Sequence, residues 1–228
     1  MQRLRAGLYL LESGRSVNSY LIESGAGLTL VDTGPAARAE ALMEEILQAG
    51  FNLDDLERIV LTHAHPDHAG GVAALLRRRR VKVYAHPKEA AVLEGKARLV
   101  YGSGASGWVR GLPLRMGKRA EPLLDVVAAS PREPIRGLPH WQMLHTPGHT
   151  PGSLSLFDPV HGVLLCGDAL AARDGRVRVA DSLASDGAAA AKTLEQLAAL
   201  NVDLLGPGHG HVLRPRAWQK IEKLLASR

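Results

Sequence analysis

Three histidines and one aspartate fall within six residues of this chain, in Thr62-His63-Ala64-His65-Pro66-Asp67-His68-Ala69-Gly70-Gly71. Imidazole and carboxylate are borderline-hard ligands that suit zinc, iron or manganese. One ion cannot take all four from so short a loop without strain. The natural division puts His63 and His65 on one ion and Asp67 and His68 on a second. The apolar run Ile59–Leu61 just before the cluster has the length of a buried strand.

Three more polar residues sit where strands should end. His149 lies in Thr146-Pro147-Gly148-His149-Thr150-Pro151-Gly152-Ser153, Asp168 in Cys166-Gly167-Asp168, and His209 in Gly206-Pro207-Gly208-His209-Gly210. Each stands beside or next but one to glycine, where backbone can come close to an ion. A lone loop histidine is ordinarily solvated, but three such residues at strand exits join the first cluster as candidate ligands. His145 reads as structural, and His86, His140 and His161 have no comparable context. Cys166, the only cysteine, sits in an apolar strand and reads as a buried, inert thiol.

The elements that must hold these residues follow from turn signals and apolar runs. Ser19–Ile22 and Leu28–Val31 read as a hairpin across Gly25–Gly27. Pro35 opens a helix over Ala36–Ala49 that Gly50 stops. A helix over Ala69–Arg80, a strand over Val81–Tyr84 and a helix over Pro87–Leu93 follow the cluster. Trp141–Leu144, Ser153–Phe157 and Val163–Cys166 are predicted strands. Asp186–Leu200 is a helix with Asp186 as N-cap, Val202–Leu205 a last strand, and Pro215–Ala226 a last helix. Residues 95–139 form an irregular insertion, with a strand over Leu123–Ala128, placed as a wall or lid. The prediction is one domain over 1–228, with two sheets flanked by helices.

Length and composition fit that. The 228 residues are 46% hydrophobic and 22% charged, which excludes disordered and low-complexity classes. No apolar run is long enough to span a bilayer. Met1–Gly14 lacks the apolar core of a signal peptide, and one cysteine fits a reducing compartment, so a cytoplasmic location is expected. The net charge is +5 and 21 of the 28 basic residues are arginine. Arg77–Arg80 closes a helix, where cations complement the dipole, and reads as a solvated helix end. Aromatics are 4%, too few for the stacking platforms of single-strand binders, so nucleic acid is not the expected partner.

The chain resembles the metallo-β-lactamase superfamily of metallohydrolases. The resemblance runs from Asn18 to His209 and rests on His63-Ala64-His65-Pro66-Asp67-His68, then His149, Asp168 and His209, with Asp32 of Val31-Asp32-Thr33-Gly34 matching an early family aspartate. It implies an α/β fold, the four-layer αββα sandwich, with the metal site at one edge. It implies that His63, His65 and His149 hold a first metal, that Asp67, His68 and His209 hold a second, and that Asp168 bridges them. Asp32 would hydrogen-bond into the metal loop and orient a ligand. His211 is set aside in favour of His209 by the family's Pro-Gly-His-Gly pattern.

Two divalent ions, with zinc foremost and iron or manganese as alternatives, imply a bridging hydroxide available at neutral pH. The expected reaction is attack on a carbonyl ester, thioester or lactone, with Asp67 orienting the hydroxide and Asp168 bridging. Asp168 resembles the bridging ligand of glyoxalase II and the lactonases and argues against true β-lactamases. Only 19 residues follow His209, so the helical C-terminal domain of longer glyoxalase II enzymes is not expected. Ala171 stands where many lactonases carry tyrosine, which counts against a lactonase. Lys96, Arg98, Arg110, Arg115, Lys118 and Arg119 in the insertion read first as a solvated loop sharing the chain's arginine richness and, as the alternative, would favour an anionic small-molecule substrate; Tyr101 and Trp108 would line a pocket or anchor the loop. The alternatives are a mononuclear iron enzyme like persulfide dioxygenase, on His63, His149 and Asp168, and a phosphodiesterase acting on nucleic acid. The Pro66 and Gly71 context favours the hydrolase.

Overall fold

The first residues form a hairpin that the sequence reading left unassigned. In a computed structural model, β1 (Gln2–Arg5) pairs antiparallel with β2 (Leu8–Leu11), which pairs antiparallel with β3 (Ser19–Ser24). The structure describes residues 1–101, 126–129, 134–179 and 184–227. They fall into two units, one of 1–98, 126–129 and 136–138, the other of 99–101, 134–135, 139–179 and 184–227.

The first unit is a seven-stranded sheet in sequence order, continued by β4 (Gly27–Val31), β5 (Leu56–Val60), β6 (Lys82–Ala85) and β7 (Val126–Ala128). From β4 onward each pairing is parallel. Parallel neighbours need crossovers, and helices supply them. A 3-10 turn over Ala36–Arg38 and α1 (Ala39–Gln48) link β4 to β5. Next, α2 (Pro66–Ala69) and α3 (Val72–Arg78) link β5 to β6, and α4 (Pro87–Leu93) follows β6. The apolar stripe Leu42, Met43 and Ile46 of α1 packs with Val72 and Leu75 of α3 on Leu21, Leu30, Ile59 and Val83 of the sheet.

The helix expected over Ala69–Arg80 is interrupted. The Gly71 amide donates to Gly34 O (3.0 Å) and Thr33 Oγ1 (3.1 Å), so a neighbouring loop takes the bond that an unbroken helix would use. Arg77, Arg78 and Arg80 are exposed at the end of α3.

The second unit holds β8 (Pro134–Ile135), all but the first residue of β9 (Leu138–His145), β10 (Leu154–Asp158) and β11 (Val163–Gly167). A two-stranded ribbon of β12 (Leu170–Arg173) and β13 (Arg176–Val179) comes next, then α5 (Gly187–Ala198), β14 (Leu204–Pro207) and α6 (Trp218–Ala226). The five-stranded sheet runs β14-β11-β10-β9-β8. Asp186 caps α5 by accepting from Ala189 N at 3.0 Å. Leu194 and Leu197 of α5 and Ile221 of α6 pack with Phe157, Leu164 and Leu205 of the sheet and with Leu170, Ala172, Val177 and Val179 of the ribbon.

Most of the expected insertion lies outside the described residues, including Trp108, Arg110, Arg115, Lys118 and Arg119. Of the rest, Lys96 pairs with Glu94 at 2.8 Å and Tyr101 is buried. Among the described residues no helix is long and apolar enough to cross a membrane.

Candidate metal centre

In the first unit the polar residues gather at the carboxyl ends of three adjacent parallel strands, where open α/β sheets place their sites. Asp32 follows β4, the histidine cluster follows β5, and His86 and Glu89 follow β6. Asp32 is buried and holds the left-handed conformation (φ 56°), which aspartate tolerates better than most residues. Its carboxylate accepts from Thr62 N at Oδ1 (2.8 Å) and from Thr62 Oγ1 at Oδ2 (2.7 Å). His68 Nδ1 also lies 2.8 Å from Oδ2.

These contacts set two tautomers. A carboxylate only accepts, so His68 carries its proton on Nδ1 and leaves Nε2 as a lone pair. Thr62 has one hydroxyl proton, given to Asp32. The 3.1 Å contact between Thr62 Oγ1 and His63 Nδ1 therefore needs the proton on Nδ1 of His63 as well. One buried carboxylate thus prepares two imidazoles to ligate through Nε2, the arrangement metal-binding histidines require.

The loop backbone is braced independently. Thr33 N and Oγ1 both donate to His68 O, at 2.7 and 2.9 Å. Glu89, buried on α4, accepts from Ala64 N at 2.9 Å, and His86 caps the same helix through Lys88 N. Sequence reasoning missed Glu89, since nothing in its spacing connects it to the loop. His63 and His65 present ligand atoms within 4.8 Å of one another, as do His63 with His68 and Asp67 with His68. Asp67 is partly exposed, with His68 Nε2 3.8 Å from its Oδ2.

In the second unit β9, β11 and β14 run in one direction, because β10 is antiparallel to β9 and β11 while β14 is parallel to β11. Their carboxyl ends share an edge, which brings His149, Asp168 and His209 together. His149 Nε2 and His209 Nε2 each lie 3.4 Å from the same oxygen, Asp168 Oδ2. Two ligand atoms on one tetrahedral ion at about 2.1 Å would stand about 3.4 Å apart, so the donors fit a zinc-like ion. The His149 turn is rigid. Ser185 N donates to His149 O (3.1 Å), Asp186 N to Gly148 O (3.0 Å) and Thr193 Oγ1 to Pro147 O (2.7 Å). His145 Nε2 contacts Pro151 O at 3.1 Å within the same turn. His161 sits against Asp158, and His140 and His211 are exposed. Burial pushes the Cys166 thiol up to about 12, so it supplies no nucleophile at neutral pH.

Residues 13–209 match the model of the metallo-beta-lactamase superfamily. The chain belongs to that superfamily and is, by class, a metal-dependent hydrolase. Among curated relatives, the probable metallo-hydrolase YflN of Bacillus subtilis is 30% identical over 197 residues, 79% of this chain and 74% of YflN. The hydroxyacylglutathione hydrolase of Dechloromonas aromatica is 33% identical over 151 residues, 66% of this chain and 43% of that enzyme. The chain spans 64% and 66% of two further Bacillus subtilis relatives. Among solved structures, a metallo-beta-lactamase family protein, TTHA1429 of Thermus thermophilus, aligns with TM-score 0.73 and 26% identity over 99% of this chain and 80% of its own. TTHA1623, solved in a di-iron-bound form, aligns with TM-score 0.67 and 29% identity over 93% and 92%. The fold is therefore the α/β fold of this superfamily.

Proposed function

We propose that the chain, acting as one domain, is a dinuclear hydrolase of a small carbonyl ester or thioester in a reducing, cytoplasmic setting. His63, His65 and His149 would hold one ion, Asp67, His68 and His209 a second, with Asp168 shared and zinc the foremost ion. The observation that carries the reading is the convergence of two imidazole nitrogens on Asp168 Oδ2, the oxygen a shared carboxylate would offer. Bound ions would lower the pKa of a coordinated water to about 7 and polarise the substrate oxygen.

The protein's own groups do the rest. Asp32 and Thr62 keep the Nε2 lone pairs of His68 and His63 available. Asp67, whose side chain is 29% exposed against 6% for Asp168, would orient the attacking hydroxide while it ligates. With Cys166 buried and inert, no protein nucleophile is required. The di-iron form of TTHA1623 supports a two-ion centre and keeps iron beside zinc. The thioester class is supported by the Dechloromonas aromatica relative.

The test is metal content in protein purified without added metal, followed by turnover of 4-nitrophenyl acetate, S-phenyl thioacetate, a γ-lactone and bis(4-nitrophenyl) phosphate. About two ions per chain with turnover of the carbonyl probes is the expected result. One iron per chain with oxygen uptake on persulfides, or turnover confined to the phosphodiester, would overturn it.

A further inference from the structure

The β12–β13 ribbon leaves Asp168 directly and carries a charge pattern that the metal centre does not use. Leu170, Ala172, Val177 and Val179 face the core, and Ala171, Arg173, Arg176 and Arg178 form the opposite face. The register sets Ala171 across from Arg178 and Arg173 across from Arg176. Directly opposed residues share a face, so the small Ala171 lies beside the long Arg178. On its other side β12 is bridged to the His209 loop. Ala172 N donates to His209 O (3.3 Å) and His211 N to Ala172 O (3.0 Å).

The order across this surface is the His209 loop, then β12 with Ala171, then β13 with Arg178. Two strand spacings make about 10 Å from the His209 backbone to that of Arg178. Among the described residues the register places the Ala171 methyl group between them, and an extended arginine covers most of the distance. The three arginines are exposed, and the one ion pair that the structure describes among them joins Arg173 to Asp174 at 3.9 Å, both more than three-quarters exposed and so weakly coupled.

The geometry points to Arg178 as the residue that binds the anionic end of the substrate, a carboxylate or phosphate carried a few bonds from the scissile carbonyl. This rests on the hydrolase reading above. A guanidinium takes such a group bidentately, which fixes orientation as well as adding affinity.

The test compares metal-loaded wild type with R178A and R178K on 4-nitrophenyl hemisuccinate and its neutral near-isostere 4-nitrophenyl butyrate. Wild type is expected to favour the hemisuccinate. In R178A the hemisuccinate-to-butyrate ratio of kcat/KM falls about 10- to 100-fold, mainly through KM, and R178K recovers part of it. K192A, which removes the same charge from the exposed face of α5, leaves the ratio unchanged. A ratio unmoved by R178A, or moved equally by K192A, overturns the proposal. Calorimetry with succinate reads the site without turnover. At least tenfold weaker binding in R178A supports it, and equal or absent binding in wild type and variant refutes it. If both esters resist wild type while succinate binding still depends on Arg178, the hydrolase reading fails and the anion site stands.

Discussion

Asp32→Asn removes one charge and almost no volume. It also retains the left-handed backbone, which asparagine accepts as readily as aspartate. The amide oxygen can still accept from Thr62 N, as Oδ1 does now. Its NH2 group then faces Thr62 Oγ1 and His68 Nδ1, where two donors now meet one acceptor. His68 escapes the clash by moving its proton to Nε2, the nitrogen a metal needs. Thr62 Oγ1 remains as the mismatched buried donor at a cost of about 1–3 kcal/mol, so the apo protein loses about that much. Loss of the orienting partner costs about 10- to 100-fold in metal affinity. The assays are denaturant unfolding of apo protein, zinc titration against a chelator, and nitrogen NMR of the His68 tautomer. Wild type should show Nδ1-protonated His63 and His68, and Asp32→Asn should move His68 to the other form. Wild-type zinc affinity in the variant, or His68 protonated on Nε2 in wild type, refutes the tautomer argument.

Asp168→Ala should lower occupancy of the second ion and turnover together, and full activity with a single ion in that variant would end the dinuclear reading. Gly210→Ala places a Cβ 1.8 Å from Ala172 O at a φ of +93°, so it must push the His209 loop away from β12; metal content should fall while the far-UV spectrum holds. Glu45 is pushed up by burial but held below its ordinary 4.5 by the amides of Glu12 and Ser13 and the Met1 ammonium, which lies 2.7 Å away. Its folded pKa is the lower one, so its contribution is whole above about pH 4.5 and lost as pH falls through the folded value. Glu45→Gln should cost about 2 kcal/mol at neutral pH by urea unfolding, and the gap to wild type should narrow as pH falls through the folded value. Cys166 should resist iodoacetamide in the folded protein at pH 8 and react fully in guanidinium; rapid native labelling would contradict its burial.

Much of the site could be read from the chain because metal ligands are few in kind and cluster at strand ends. The His63–His68 motif, His149, Asp168 and His209 each follow an apolar run, and the structure makes each run a strand that ends one to four residues before the candidate ligand. Glu89 could not be read that way. Its bond to Ala64 N exists because β5 and β6 are parallel neighbours, and that adjacency is tertiary. The ribbon was a different case, since its signal lay in the open. Asp174-Gly175 with φ of 51° and 70° is the two-residue turn that hairpins favour, flanked by Leu-Ala-Ala-Arg and Arg-Val-Arg-Val. The second of these alternates cleanly, but Ala171 and Ala172 blur the alternation in the first, so periodicity alone passed over it. The register supplies what the pattern could not, the pairing of Ala171 with Arg178. A small residue beside the ligand loop is uninformative until the residue across from it is known. On the proposed role of Arg178, substitutions at 171 and 178 should couple, with a bulky side chain at 171 blocking the arginine even when residue 178 is unchanged.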